Sequence, residues 1–480
     1  KEEGIDESVS YNEKAIALRE HYTEIKDSKN RMCIFTAYNN MIAPVGQTRM
    51  DMKKKMFEYY HAAMDLWNSE EVQKLDGDDE EFKERIEQIQ TDVMFCEAFL
   101  EEMPEDFQNE FKKLHKEVKA EAEKNGSDDV EGEIFRSDLK LKMIDGGAEE
   151  EIMEEAIAYI NSIPEPDYEK DEYEALLRLL NYHNSACLAF DILKYYKVPK
   201  DREKKYTDRF LKKVTYVHTS IPFNFWPSMM DELCAEWFKE SAPFIDDPEE
   251  EKNLLLKLII RRQPLTYIHS IMVSEISKEI AAAIIKGDPD FFVGILDTKN
   301  EEEVKEKSEE LIRYISDCAI LHDSGKCGIV EVINRQNRHL YDEEFSIIKR
   351  HPQKGLDLLK HEEGFAPYLD VIIGHHKTYD GKGGYPLNFD NTASPVRSVI
   401  DLIAIADSID AATDILGRNY SEGKDYDTLY SELKAGSGTR YNPDIVDLIG
   451  QDKRLYDELM WITGEGRHEV YYTVFDEIIF

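Results

Sequence analysis

Seven of the chain's thirteen histidines lie between residues 269 and 376, and several stand beside carboxylates. The set is His269, the pair His322-Asp323, His351, the twin His375-His376 and, further on, Asp407. Any one of these has an ordinary explanation, and His339 and His361 sit in polar surroundings with no partner motif. As a set, neutral imidazoles and carboxylates suit iron, manganese or zinc better than calcium or magnesium.

The spacing says more. His322-Asp323 ends an apolar stretch, Leu311–Leu321, expected to be helical, and Ser324-Gly325-Lys326 follows. If the helix continues, Lys326 shares a face with both residues and could meet a substrate phosphate. Pro352 favours the first helical position, which predicts His351 at a helix N-cap. His375-His376 closes the apolar stretch Leu369–Ile373. Adjacent imidazoles cannot share a helix face, so they flank two metals, or one ligates while the other meets substrate. Asp407, Asp410 and Asp414 fall on one face of a predicted helix, Val399–Asp414. Ile403, Ala404, Ile405 and Ala406 argue for burial there, and buried carboxylates need a metal or a cation such as Arg418.

The elements that must position these groups read as an all-α fold. A chain of 480 residues allows two to four domains, at roughly 100–200 residues each. Residues 1–245 are expected to form a helical domain, with helices over Met50–Leu66, Glu81–Leu100, Phe107–Asn125, Glu149–Ile160, Tyr173–Tyr196 and Asp201–Val217. Tyr38–Trp67 and Tyr182–Tyr216 vaguely resemble tetratricopeptide repeats, without a clear period of about 34 residues. Pro222, Pro227, Pro243 and Pro248 mark a boundary near 245, and residues 250–480 form the second domain. Gly287–Glu303 and Gly381–Asn391 read as loops, and Val470–Ile479 as a short strand or docked tail.

Acidic residues number 100 against 60 basic, a net charge of −40, so a nucleic-acid polymer is excluded as a general partner. No apolar run approaches the ~20 residues of a membrane span. The six cysteines form no C-x-x-C pair and read as free thiols of a reducing, cytoplasmic setting. The chain starts at Lys1 rather than methionine, consistent with a processed form or a fragment.

His269 and His322-Asp323 with Lys326 resemble the HD superfamily of metal-dependent phosphohydrolases. His351-Pro352, His375-His376 and Asp380-Gly381-Lys382-Gly383-Gly384-Tyr385-Pro386 resemble its HD-GYP branch, which hydrolyses cyclic di-GMP. Asp407-Ser408-Ile409-Asp410-Ala411 resembles the branch's late metal-ligand helix, and Gly438–Val446 its closing G-x-x-F-D-P-x-x-V segment. The resemblance covers roughly residues 260–450. It implies a helical bundle in which His269, His322, Asp323, His351, His375, His376 and Asp407 hold two divalent ions, iron or manganese. Asp323 would bridge the ions, and a hydroxide shared between them would attack the phosphodiester of a cyclic dinucleotide. Lys326 would offset phosphate charge, making Asp323 and Lys326 the catalytic pair. Asp380, Gly381, Tyr385 and Pro386 would shape the mouth, with Asp410 and Arg418 contacting substrate. The N-terminal helices would bind a protein partner or sense a signal, and a homodimer would suit such a signalling hydrolase.

Several positions depart from that pattern. Lys377 follows the twin histidines where the family usually carries Glu, the loop has one extra glycine, and the stretch from Asp410 to Arg418 is long. Leu265 stands where some members have a Glu associated with a third metal. The ligand set is intact, which supports hydrolysis of cyclic di-GMP. The altered loop leaves open a phosphohydrolase for another nucleotide phosphoester, or a catalytically silent scaffold that senses ligand.

Overall fold

The computed structural model describes residues 2–46, 48–125, 131–329, 340–416 and 423–479. Its C-terminal half is built on one helix, Pro264–Gly287. Proline suits the first turn, where its missing N–H has no intrahelical bond to lose. Ile268, Met272, Val273, Ile276, Ile280, Ala281 and Ile284 are all buried, and they cover more than one face. Such a helix needs neighbours on several sides. Ser308–Leu321, Arg397–Thr413 and Arg467–Ile479 supply them. The fold is all-α. Among the described residues, strand-like pairing is confined to two isolated bridges, Lys377 with Gly384 and Ser437 with Tyr441.

Internal contacts divide the chain into two units, Lys1–Asp167 with Asp171–Leu211, and Tyr168–Lys170 with Lys212–Phe480. The division precedes the proline-rich stretch rather than following it near residue 245. Arg262 supplies a physical reason. It is 1% exposed, its Nε lies 3.0 Å from Asp231 Oδ1, and Nη1 donates to Pro222 O at 2.8 Å. Residues 222–231 are thereby fastened to the second unit.

Two other expectations change. Val470–Ile479 lies in the helix Arg467–Ile479, not a strand, and buries Val474 in the second unit's core. Gly287–Glu303 is not a bare loop. Two 3-10 turns and the helix Glu301–Glu306 bury Phe292, Ile295 and Val304 in the same core. In the first unit, Met50–Leu66 breaks into Met50–Lys53 and Met56–Trp67. The buried carboxylates Asp76 and Glu97 are satisfied internally. Asp76 meets Arg31 at 2.5 Å and the Tyr22 hydroxyl at 2.7 Å, and Glu97 meets Arg136 at 2.8 Å and Ser137 at 2.6 Å. No disulfide joins any of the six cysteines.

One buried acid gives a pH test. Glu251, in the helix Pro248–Arg262, is 5% exposed and its Oε1 has no hydrogen-bond partner. Burial, reinforced by Glu362, pushes its carboxyl up to about 7, against about 4.3 for an unfolded chain. The folded state therefore holds a proton that the unfolded state has released. This contribution is complete below the unfolded value and is lost as pH rises through about 7. Thermal unfolding from pH 4 to 8 should show the wild type losing stability relative to Glu251→Gln above pH 5. Parallel curves would refute the assignment.

Candidate metal centre

Helix ends put the histidines in place. The last carbonyls of an α-helix have no amide partner within the helix. His322 follows the helix Ser308–Leu321, with Nδ1 2.6 Å from Ala319 O. His375 follows Leu369–Gly374, with Nδ1 2.9 Å from Ile372 O. His351 comes after Asp342–Ile348, with Nδ1 2.7 Å from Ile348 O. It is the first residue of the next helix, His351–Leu359, one place later than the predicted N-cap. A carbonyl only accepts, so Nδ1–H donates in all three and the lone pair lies on Nε2. His269, on the Pro264–Gly287 helix, is oriented by a carboxylate instead, with Nδ1 2.6 Å from Asp410 Oδ2.

The freed nitrogens converge. His351 Nε2 lies 3.0 Å from His375 Nε2 and 3.1 Å from Asp323 Oδ1. His322 Nε2 and Asp323 Oδ1 are buried without a hydrogen-bond partner. His269 Nε2 is 3.1 Å from Asp407 Oδ1 and 3.5 Å from Asp323 Oδ2, and His376 Nδ1 is 3.6 Å from Asp407 Oδ2. Lone pairs this close repel unless a cation lies among them. The donors fall into sets able to hold an ion, His351 with His375 and His376, His269 with His322 and Asp407, and His322 with Asp323 and His375. The residues therefore fit a divalent metal, by donor type and by the Nε2 lone pairs that His322, His351 and His375 turn inward.

Charge agrees with geometry. Burial would raise Asp323, but the Lys326 ammonium and the neighbouring imidazoles hold it well below the usual carboxylate range. Burial pushes His351 down to about 3 and His376 to about 4, against the opposing charge of Asp323 and, for His376, of Asp407 as well. Both imidazoles are neutral at ordinary pH. His269 differs. Burial opposes its charged form, yet hydrogen bonds to Asp407 and Asp410 raise it to about 9. A proton and a metal ion would compete for its Nε2.

A cavity of about 920 Å3 opens onto this cluster. His269, His351, His375, His376 and Asp407 reach its wall, as do Lys326 and Tyr385. Lys326 is not on a continued helix. The chain turns into a 3-10 segment, Ser324–Gly328, and the ammonium still meets Asp323 Oδ2 at 2.5 Å. Tyr385 lies against His376, with ring centroids 4.5 Å apart. Gly384, at φ +79°, is the loop glycine with no substitute, because a Cβ there would lie 2.0 Å from His376 O.

Other expected contacts stand elsewhere. Asp380, Gly381 and Pro386 are off the cavity wall. Asp380 holds the loop by accepting from Thr378 Oγ1 at 2.7 Å and Lys382 N at 3.0 Å. Asp410 is 1% exposed and does not reach the cavity. It stands behind His269, where Arg467 Nη1 meets its Oδ1 at 2.7 Å. Arg418 lies outside the described residues. Arg467, which no motif marked, is the cation that meets Asp410 and Asp414. Gln263 was also unmarked, and donates to Lys326 O at 2.7 Å.

Gly325 sets how closely the His322-Asp323 turn approaches the His351 helix. A Cβ there would lie 1.9 Å from His351 O and 2.4 Å from Gly355 N. Backbone meets backbone, so nothing can rotate away. Gly325→Ala should cost at least about 2 kcal/mol of stability, read from urea unfolding. A cost near zero would contradict this packing.

Residues 307–445 match the family model described as HD domain. That segment is an HD domain. Its span contains six of the seven clustered His and Asp residues, and His269 precedes it. The chain is 28% identical over 223 residues to a cyclic di-GMP phosphodiesterase of Thermotoga maritima, covering 46% of this chain and 52% of that protein. It is 33% identical over 144 residues to the cyclic di-GMP phosphodiesterase response regulator RpfG of Xanthomonas campestris, covering 30% and 37%. It is 29% identical over 139 residues to a 3'3'-cGAMP-specific phosphodiesterase of Vibrio cholerae, covering 28% and 25%. The chain spans about half or less of the length of these relatives of the HD domain.

Proposed function

We propose that the chain is a metal-dependent phosphodiesterase whose substrate is a cyclic dinucleotide, of the cyclic di-GMP class. The observation that carries this is the convergence on Asp323 of the Nε2 atoms of His322, His351 and His375, whose Nδ1–H groups are spent on backbone carbonyls. The names of the relatives support the phosphodiester class. Two divalent ions, iron or manganese, fit the donor sets. Bound there, they supply Lewis acidity toward water and phosphate oxygens.

The chain's own groups do the rest. Asp323 turns one oxygen to each side of the cluster. His269, His322, His351, His375, His376 and Asp407 complete the ligand set. Lys326 places a positive charge beside Asp323, where a non-bridging phosphate oxygen would lie. Hydrolysis adds water across one P–O bond of the ring, and the product is a linear dinucleotide. Tyr385 and His376 give the wall a flat face against which a base or ribose can rest. We assign residues of the first unit to partner binding or sensing, since the buried charges described there are spent on one another. No helix among the described residues is long and apolar enough to cross a membrane.

The test is turnover under low oxygen with Fe(II) or Mn(II). Cyclic di-GMP, 3'3'-cGAMP and a mononucleotide phosphoester are offered in parallel, and products are resolved chromatographically. Cleavage of a cyclic dinucleotide supports the proposal. Cleavage of only the mononucleotide ester moves the substrate class. Metal and ligand binding without cleavage identifies a silent scaffold.

A further inference from the structure

Four cations line the cavity, Lys326, Lys377, Lys424 and Arg440. Two are committed. Lys326 pairs with Asp323 at 2.5 Å, and Lys424 with both oxygens of Glu432 at 2.8 and 2.7 Å. Lys377 and Arg440 form no ion pair among the described residues. Lys377 is only 6% exposed. Asp390 feels its charge without forming an ion pair with it, so an arriving anion would supply a closer counter-charge.

The two cations are held on one wall. Tyr379 N donates to Arg440 O at 3.1 Å and Asp380 N to Thr439 O at 3.0 Å, stapling the loop after the twin histidines to the loop before Tyr441. The Arg440 guanidinium rests over the Tyr441 ring, 5.0 Å from its centre. Its charge is felt at Tyr385, the residue against His376. Lys377 is bonded directly to His376 in the chain. The wall therefore adjoins the metal ligands without contributing to them.

We propose that Lys377 and Arg440 hold the phosphate that is not cut, so that the cavity selects ligands with two phosphodiesters over ligands with one. This rests on the cyclic-dinucleotide reading above. The ions and Lys326 neutralise one phosphate. A cyclic dinucleotide carries a second phosphate, which needs a counter-charge of its own. Lys377 and Arg440 supply its counter-charge.

The experiment is calorimetric titration of the full metal-loaded chain. The probes are the bisphosphorothioate of cyclic di-GMP and the phosphorothioate of GpG, which carries the same bases on one phosphate. The wild type should prefer the cyclic probe by about tenfold or more. Lys377→Gln and Arg440→Gln should each weaken the cyclic probe by about tenfold, with GpG binding held within about twofold. Lys377→Arg should restore the cyclic preference. Unchanged cyclic binding in both variants, equal loss of both probes, or no wild-type preference would overturn the inference. A wild type that binds the cyclic probe with this selectivity but never cleaves cyclic di-GMP would sink the phosphodiesterase reading and leave the inference standing. No binding of either probe would sink both.

Discussion

Replacing Asp323 with alanine should strip metal from the protein and lower phosphodiester cleavage by at least about a thousandfold. The geometry makes this the most damaging single change at the centre. Oδ1 lies 3.1 Å from His351 Nε2 and 3.9 Å from His375 Nε2. Oδ2 lies 3.4 Å from His322 Nε2, 3.5 Å from His269 Nε2 and 2.5 Å from Lys326 Nζ. One carboxylate thus touches both halves of the cluster, and a methyl group replaces neither contact. Elemental analysis beside an activity assay reads the outcome. Lys326→Ala is the contrasting variant. It should retain metal while losing turnover by roughly ten- to a hundredfold, as for a lost charge-assisted contact. An Asp323→Ala protein with full metal and full activity would end the metal-site reading.

The second large effect concerns stability. Arg467→Met should destabilise the second unit by about 3–5 kcal/mol, because it leaves buried carboxylates without their cation. Arg467 is 1% exposed, with Nη1 2.7 Å from Asp410 Oδ1 and 3.4 Å from Asp414 Oδ1. Nη2 also donates to Thr413 Oγ1 at 2.9 Å. Methionine keeps most of the volume, so lost packing contributes little. Denaturant unfolding measures the cost. Adding Asp410→Asn should recover part of it, since the two residues share one interaction. A single variant within about 1 kcal/mol of wild type would show that Asp410 needs no cation there.

The clustering of the His and Asp residues was legible because each follows from residue identity and short spacing. The His-Asp pair, the twin histidines and Asp407 needed no knowledge of packing. Asp410 was misassigned for a physical reason. Helical spacing places it on the same face as Asp407, but only the packing of Arg467–Ile479 on Pro264–Gly287 shows that Arg467 reaches it first. Lys326 reached its expected neighbour by a different backbone path, since a turn replaced the continued helix. The last helix was read as a strand or tail because its alternation is weak, and the burial of Val474 against a distant helix decided it. The domain boundary was placed by prolines, yet Arg262 fastens that proline-rich stretch to the second unit.

The three helix-end carbonyls bound by His322, His351 and His375 have one more consequence. Each ring is held on its far side by its own backbone, so its orientation does not depend on an ion alone. A metal centre built on such rings would be a rigid socket rather than a clasp that closes on its cargo. Little motion is needed on loading, and an ion of the wrong radius cannot be accommodated by swinging a ring aside. A chelator should therefore empty the socket while far-ultraviolet circular dichroism stays unchanged.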